Sequence, residues 1–189
     1  TYYRGCEENV NGIHFQYVSF VNVPIIKNIS AAISMKSAVK KYYEKHKNDY
    51  ISVLADSLTI EVSKSALWLQ KQGVQIAAIV TDIPLIAETM GSRGGLHGLY
   101  SEIYGKKANA LLLQYDKYIL LSEHMNEVVN LKKHKPYMIM ECIVDEGLFD
   151  GVECRQKDGQ GRPVVMYAGK FYRECGVIEL AKAASDLKD

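Results

Sequence analysis

Short runs of β-branched and aromatic residues alternate with longer amphipathic segments along most of this chain, and that rhythm constrains the fold more than any other feature. Residues 50–55, 74–80, 118–122 and 137–143 read as strands. Helical spacing fills residues 57–72, 99–115 and 123–131, with Gly73 as a stop signal, and precedes them from Asn28 or Ser30 to about residue 47. Joining parallel strands takes a crossover of a dozen or more residues, usually a helix, so the alternation predicts βαβ units on a parallel sheet. An opening strand is expected over residues 13–21, ended by Pro24, which offers no ladder donor. Residues 74–80 are almost continuously apolar, the pattern of a strand covered on both faces.

Two stretches interrupt the rhythm. Residues 87–98 hold Gly91, Gly94, Gly95 and Gly98, which reads as a mobile loop. Residues 148–162 are polar and glycine-rich, so a domain boundary is expected there: 1–150 as one domain, 151–162 as linker, and 163–189 as the start of a second. Within that last part, residues 163–168 read as a strand and 175–187 as a helix. A single βα unit cannot bury its own apolar face, so the chain is expected to be cut short at this end.

Composition narrows the function. The 189 residues include 23 Lys and Arg against 22 Asp and Glu, a net charge of +1, which supplies no global field for nucleic acid. The 13 tyrosines follow no nucleic-acid-binding spacing. Cys6, Cys142, Cys154 and Cys175 form no close pair, and the five histidines show no ligand spacing, so neither a metal site nor a disulfide framework is expected. Free thiols fit the reducing cytoplasm, and no apolar run reaches membrane-spanning length. The helix with Lys36, Lys40, Lys41, Lys45 and Lys47 and the run Lys132–Lys133–His134–Lys135 have the charge to touch anionic lipid, although a solvated face is the plainer account.

Ligands of open parallel sheets sit just past the carboxyl ends of the strands, and that position selects the candidates. They are Asp56, then Thr81 and Asp82 with Arg93 and His97 beyond, then Ser122 and Glu123, Asp145 and Glu146, and finally Gly169, Lys170 and Arg173. Asp82 is placed to act as a base or to orient a hydroxyl, or equally to cap nearby backbone donors. Gly169, Lys170 and Arg173 precede a helix, and two cations beside a helix amino terminus suit a diphosphate.

Four segments in order resemble glycosyltransferase family 4, the retaining sugar-nucleotide transferases of the GT-B fold. Ala78-Ile79-Val80-Thr81-Asp82-Ile83-Pro84 resembles the family's strand ending in His-Asp-Leu-Pro. Ile119-Leu120-Leu121-Ser122-Glu123-His124-Met125 resembles its Ser-Glu-x-Met strand end. Cys142-Ile143-Val144-Asp145, with Phe149 behind, resembles Asn-Gly-Val-Asp followed by Phe. Val164-Val165-Met166-Tyr167-Ala168-Gly169-Lys170-Phe171 and Gly176-Val177-Ile178-Glu179-Leu180-Ala181-Lys182-Ala183 resemble the opening βα unit of the donor domain. Thr81 stands where many members have histidine, Cys175 replaces a lysine and Cys142-Ile143 replaces Asn-Gly.

The resemblance implies an α/β protein: a Rossmann-like parallel sheet flanked by helices, the acceptor half of a GT-B fold, plus the first βα unit of a second Rossmann-like domain. It implies Asp82 as the catalytic residue, Gly169, Lys170 and Arg173 on the donor diphosphate, and Thr81, Arg93, His97, Ser122 and Glu123 on the acceptor side. The implied reaction moves a sugar from a nucleotide-diphosphate sugar to a hydroxyl of a sugar or lipid-linked acceptor, with retention and without a resident cofactor or metal. It would serve surface polysaccharide or glycolipid synthesis in the cytoplasm, with peripheral contact to the inner membrane face. The family's glycine-rich loop after its first strand and its Glu-x7-Glu motif have no counterpart here, so the expectation is an enzyme piece inactive alone. The competing expectation is a non-catalytic Rossmann-like binding or sensor module. A sugar-nucleotide epimerase is set aside, because Tyr43 and Lys47 lie too early in the chain and the dinucleotide fingerprint is missing.

Overall fold

In a computed structural model the chain is described at residues 1–23, 26–89, 95–129, 134–141, 145, 147, 150–151 and 164–186. Arg93, Glu146, Cys142–Val144, Phe149 and nearly all of the expected linker lie outside the described residues. The centre is a four-stranded parallel sheet of β5 (Ser52–Asp56), β6 (Gln75–Val80), β7 (Lys117–Leu120) and β8 (Tyr137–Ile139), hydrogen-bonded in that order. The α/β architecture expected from the alternation is present, and it is Rossmann-like. Crossovers run through α2 (Ile60–Gln70), then α3 (Pro84–Thr89) with α4 (Leu96–Leu112), then α5 (Glu123–Val129).

Strands laid down in sequence order with right-handed crossovers put every intervening helix on one face. The burial pattern agrees. Ala55, Ile76, Ala78, Val80, Tyr118 and Leu120 are buried in one cluster with Ala66 and Leu67 of α2, Leu112 of α4 and Val129 of α5. The alternate residues, Leu54, Ala77, Ile79, Ile119 and Met138, face outward and stay half-buried or exposed. The expectation that residues 74–80 are covered on both faces is therefore corrected: among the described residues β6 is fully covered on one face only, because the described helices of the crossovers lie on that face.

The first fifty residues differ from the single opening strand expected at 13–21. Two short antiparallel pairs form instead, β1 (Tyr2–Tyr3) with β4 (Phe20–Val21) and β2 (Glu7–Val10) with β3 (Ile13–Gln16). Asn11 and Gly12 both have positive φ, 52° and 82°, which makes the tight turn that fits the twist of a hairpin. The expected strand was split because that turn folds residues 13–16 back onto 7–10. Next comes α1 (Ile26–His46), packed on α2. Ser30 lies inside α1 rather than capping it; its hydroxyl donates to the Lys27 carbonyl and accepts from the Val21 amide.

Two further expectations change. The segment read as a loop over 87–98 is helical up to Thr89 and again from Leu96, with Pro84 at the first helical position, where its missing N–H costs nothing. Residues 164–168 of the strand expected over 163–168 form no ladder, and among the described residues no second strand lies beside them. The helix after them does form, as α6 (Val177–Asp186), behind a 3-10 turn at Arg173–Cys175 closed by Gly176 at φ 75°.

Candidate functional site

The ladder aligns Val80 with Leu120 and Leu120 with Ile139. Thr81 and Asp82 therefore leave the sheet beside Ser122 and Glu123, with strands about 4.8 Å apart. These four residues, with Asp56 at the end of β5, share the carboxyl edge of the sheet. Thr81, Asp82, Ser122 and Glu123 are all exposed there.

Local bonding fixes each of them differently. The Ile83 amide donates to Asp82 Oδ1 at 3.0 Å, and the Leu58 amide to Asp56 Oδ1 at 3.0 Å. Both carboxylates thus brace the turn that follows their own strand. Of the two roles open to Asp82, the structure displays the capping one. Glu123 is held from the neighbouring strand: Tyr137 donates its hydroxyl to Glu123 Oε1 at 2.7 Å, and the Asn126 side-chain amide donates to the same oxygen at 3.2 Å. The bond to a carboxylate, which stabilises the neutral phenol, raises the Tyr137 pKa above its ordinary value.

Three contributors at this edge escaped the sequence reading. Tyr137 was placed only as a strand residue, and its pairing with Glu123 follows from β7–β8 register. Ser57, expected as the start of a helix, is fully buried and instead sits in the bend just past β5. Its amide and hydroxyl both donate to the Ile79 carbonyl, at 3.4 and 3.3 Å. Tyr104 of α4 accepts from the Ile60 amide at 3.3 Å and donates to Glu61 Oε2 at 3.1 Å, satisfying the amino terminus of α2 where it meets the edge. The spacing of Tyr100 and Tyr104, whose rings meet at a tilt of 32° with centroids 6.1 Å apart, was the one local sign of it.

Of the remaining candidates, the backbone of His97 lies in the first turn of α4, and Arg93 lies outside the described residues. Gly169, Lys170 and Arg173 are exposed just ahead of α6, as the sequence suggested. Tyr167 turns this loop by donating to the Lys170 carbonyl at 2.7 Å, and a Cβ on Gly169 would come within 3.0 Å of that hydroxyl. Residues 164–186 share no hydrogen bond or ion pair with the sheet among the described residues. The structure thus gathers Thr81, Asp82, Ser122 and Glu123 into one site and leaves the two cations in a separate one.

Carboxylates and hydroxyls at a strand edge offer acceptors and donors for a polyhydroxylated ligand, and the cationic loop offers donors for an anion. No helix among the described residues is long and apolar enough to cross a membrane. No protein-family model, no curated protein and no solved structure matches this chain.

Proposed function

We propose that this chain provides the acceptor-side Rossmann-like sheet, and the first donor-side helix, of a cytoplasmic retaining glycosyltransferase similar to family 4. The carrying observation is the alignment of Val80 with Leu120 at the ends of adjacent parallel strands, just before Thr81–Asp82 and Ser122–Glu123. The two segments that resemble the family's motifs in sequence thereby share one edge, where open α/β sheets bind ligands. Asp82 and Glu123 would orient the hydroxyls of a sugar or lipid-linked acceptor. Lys170 and Arg173, ahead of α6, would take the donor diphosphate, where negative charge develops as the sugar leaves. Products of surface polysaccharide or glycolipid type fit that acceptor class.

The test is thermal unfolding of the protein against nucleotide diphosphates and nucleotide sugars. A ligand at about a hundred times its dissociation constant adds about 2.7 kcal/mol, a rise of several degrees. A rise with nucleotide sugars of one base, lost in Lys170→Ala/Arg173→Ala, is the expected result. A folded protein that responds to none of them belongs instead to a non-catalytic binding module.

A further inference from the structure

At the amino end of β5, the end of β3, the second half of α1 and the first residues of β5 border a cavity of about 690 Å³. That is the size of a small-molecule site. Ser52 opens β5 and Asp56 closes it, so the cavity lies about 13 Å from the carboxyl edge, four strand residues on at about 3.3 Å each. Among the described residues its lining carries no charge, although 24% of the chain is charged. Tyr17, Tyr42, Tyr43 and Tyr50 come to it from three places in the chain. Tyr42 stacks on His46 with centroids 4.5 Å apart, and Tyr43 meets Trp68 edge-on at 5.6 Å. Tyr17 is held through its hydroxyl, which donates to Glu8 Oε1 at 2.5 Å. Tyr50 is 88% exposed and has no ring partner among the described residues. The hydroxyls of Tyr42, Tyr43, Tyr50 and Ser52 have no hydrogen-bond partner there either, and Gln16, whose amide donates to Glu7 Oε1 at 3.2 Å, keeps its carbonyl oxygen.

We infer that this cavity is a binding site for a neutral saccharide, separate from the carboxyl edge, with pyranose rings seated on the tyrosines and their hydroxyls meeting those of the lining. The lining selects the class by what it lacks and by what it offers. A charged ligand would lose hydration here without gaining a counter-ion. A wholly apolar ligand would cover the tyrosine and Ser52 hydroxyls and the Gln16 oxygen and leave them unpaired, at a cost for each. A pyranose carries hydroxyls around its rim, each able to donate and to accept, and C–H groups on its faces, so it satisfies both kinds of surface at once. The contacts that already hold Tyr17, Tyr42 and Tyr43 reduce the freedom lost when a ligand arrives. The inference goes beyond the transferase reading and does not rest on it, because a saccharide held here is bound without reacting and is read separately from nucleotide-sugar binding.

The experiment is a ligand-observed NMR titration of the full chain with cellotriose, maltotriose and chitotriose, beside trigalacturonate as a charged probe and cyclohexanol as a mainly apolar ring. At least one neutral trisaccharide is expected to bind, and neither control. Tyr50→Ala, at an exposed position whose loss leaves the fold intact by circular dichroism, should weaken that binding about two- to tenfold, the worth of one aromatic contact. Tyr50→Phe keeps the ring and should lose less. Ser52→Ala removes one hydroxyl and should weaken binding by a similar factor. Asp82→Ala, at the carboxyl edge, should leave it unchanged. Binding of none of the trisaccharides, equal binding of either control, or indifference to both Tyr50→Ala and Ser52→Ala would overturn the inference. So would binding lost in Asp82→Ala but kept in Tyr50→Ala, which would move the saccharide to the carboxyl edge.

Discussion

Tyr115 and Tyr118 are among the largest buried side chains, and each carries a hydroxyl that must be satisfied inside the core. Tyr115 donates to Ser63 Oγ at 3.3 Å and Tyr118 to the Leu112 carbonyl at 3.2 Å. Burial pushes both phenols up, and Tyr118, with the Asp116 charge adding to it, reaches a pKa of about 12. An unfolded tyrosine ionises near 10, so the folded state holds the Tyr118 proton more tightly. Its contribution is complete below about pH 10 and is lost as the pH rises to about 12. Urea unfolding of the wild type should therefore lose stability across that window more steeply than Tyr118→Phe, by at most about 1.4 kcal/mol per pH unit. Parallel pH profiles would mean that the phenol ionises as freely in the folded chain as in the unfolded one. The sequence placed Tyr118 in a strand, but the Ser63 partner of Tyr115 lies 52 residues away, and nothing local announces it. Asp82 shows the same limit at the candidate site: its position past a strand was legible, its bond to Ile83 was not.

Between elements, Asp116 joins α2 to the sheet. Its Oδ1 accepts from the Gln70 side-chain amide at 2.6 Å and its Oδ2 from the Ile76 backbone amide at 3.2 Å. Gln70 also donates to the Gln114 carbonyl at 3.0 Å, so one contact clamps the end of α2, the start of β6 and the α4–β7 turn. Asp116→Ala removes the acceptor and leaves the Ile76 donor unmade, which should cost about 1–3 kcal/mol as a lower urea midpoint. Gln70→Ala keeps the Ile76 bond and should cost less; the reverse order would show that the helix contact, not the strand contact, is what Asp116 secures. The elements so joined were largely visible beforehand, because β5 to β8, α2, α4 and α5 each have a pattern long enough to read. The pieces that were not visible are short. The β2–β3 hairpin turns on Asn11–Gly12, and α3 is six residues long and starts at Pro84, so one dipeptide and one proline carried signals that periodicity could not.

At the scale of the molecule the sheet is one-sided among the described residues, which β6 alone did not suggest. A continuously apolar strand reads the same whether one or both faces are covered. The decision lies in the strand order, because β5-β6-β7-β8 in sequence places α2, α4 and α5 together. Two leucines make this testable. Leu120 of β7 points into the helix-covered cluster and is fully buried, whereas Leu54 of β5 points the other way and is 63% exposed. The same truncation should then have unequal effects. Leu120→Ala leaves a cavity that surrounding side chains cannot fill and should cost about 2–5 kcal/mol. Leu54→Ala should change stability by less than about 0.5 kcal/mol, as at ordinary surface positions. The measurement is the shift in urea midpoint at constant slope for each variant. Comparable losses at both leucines would mean that something covers the outward face in solution, and the sheet would then be buried on both sides as parallel sheets usually are.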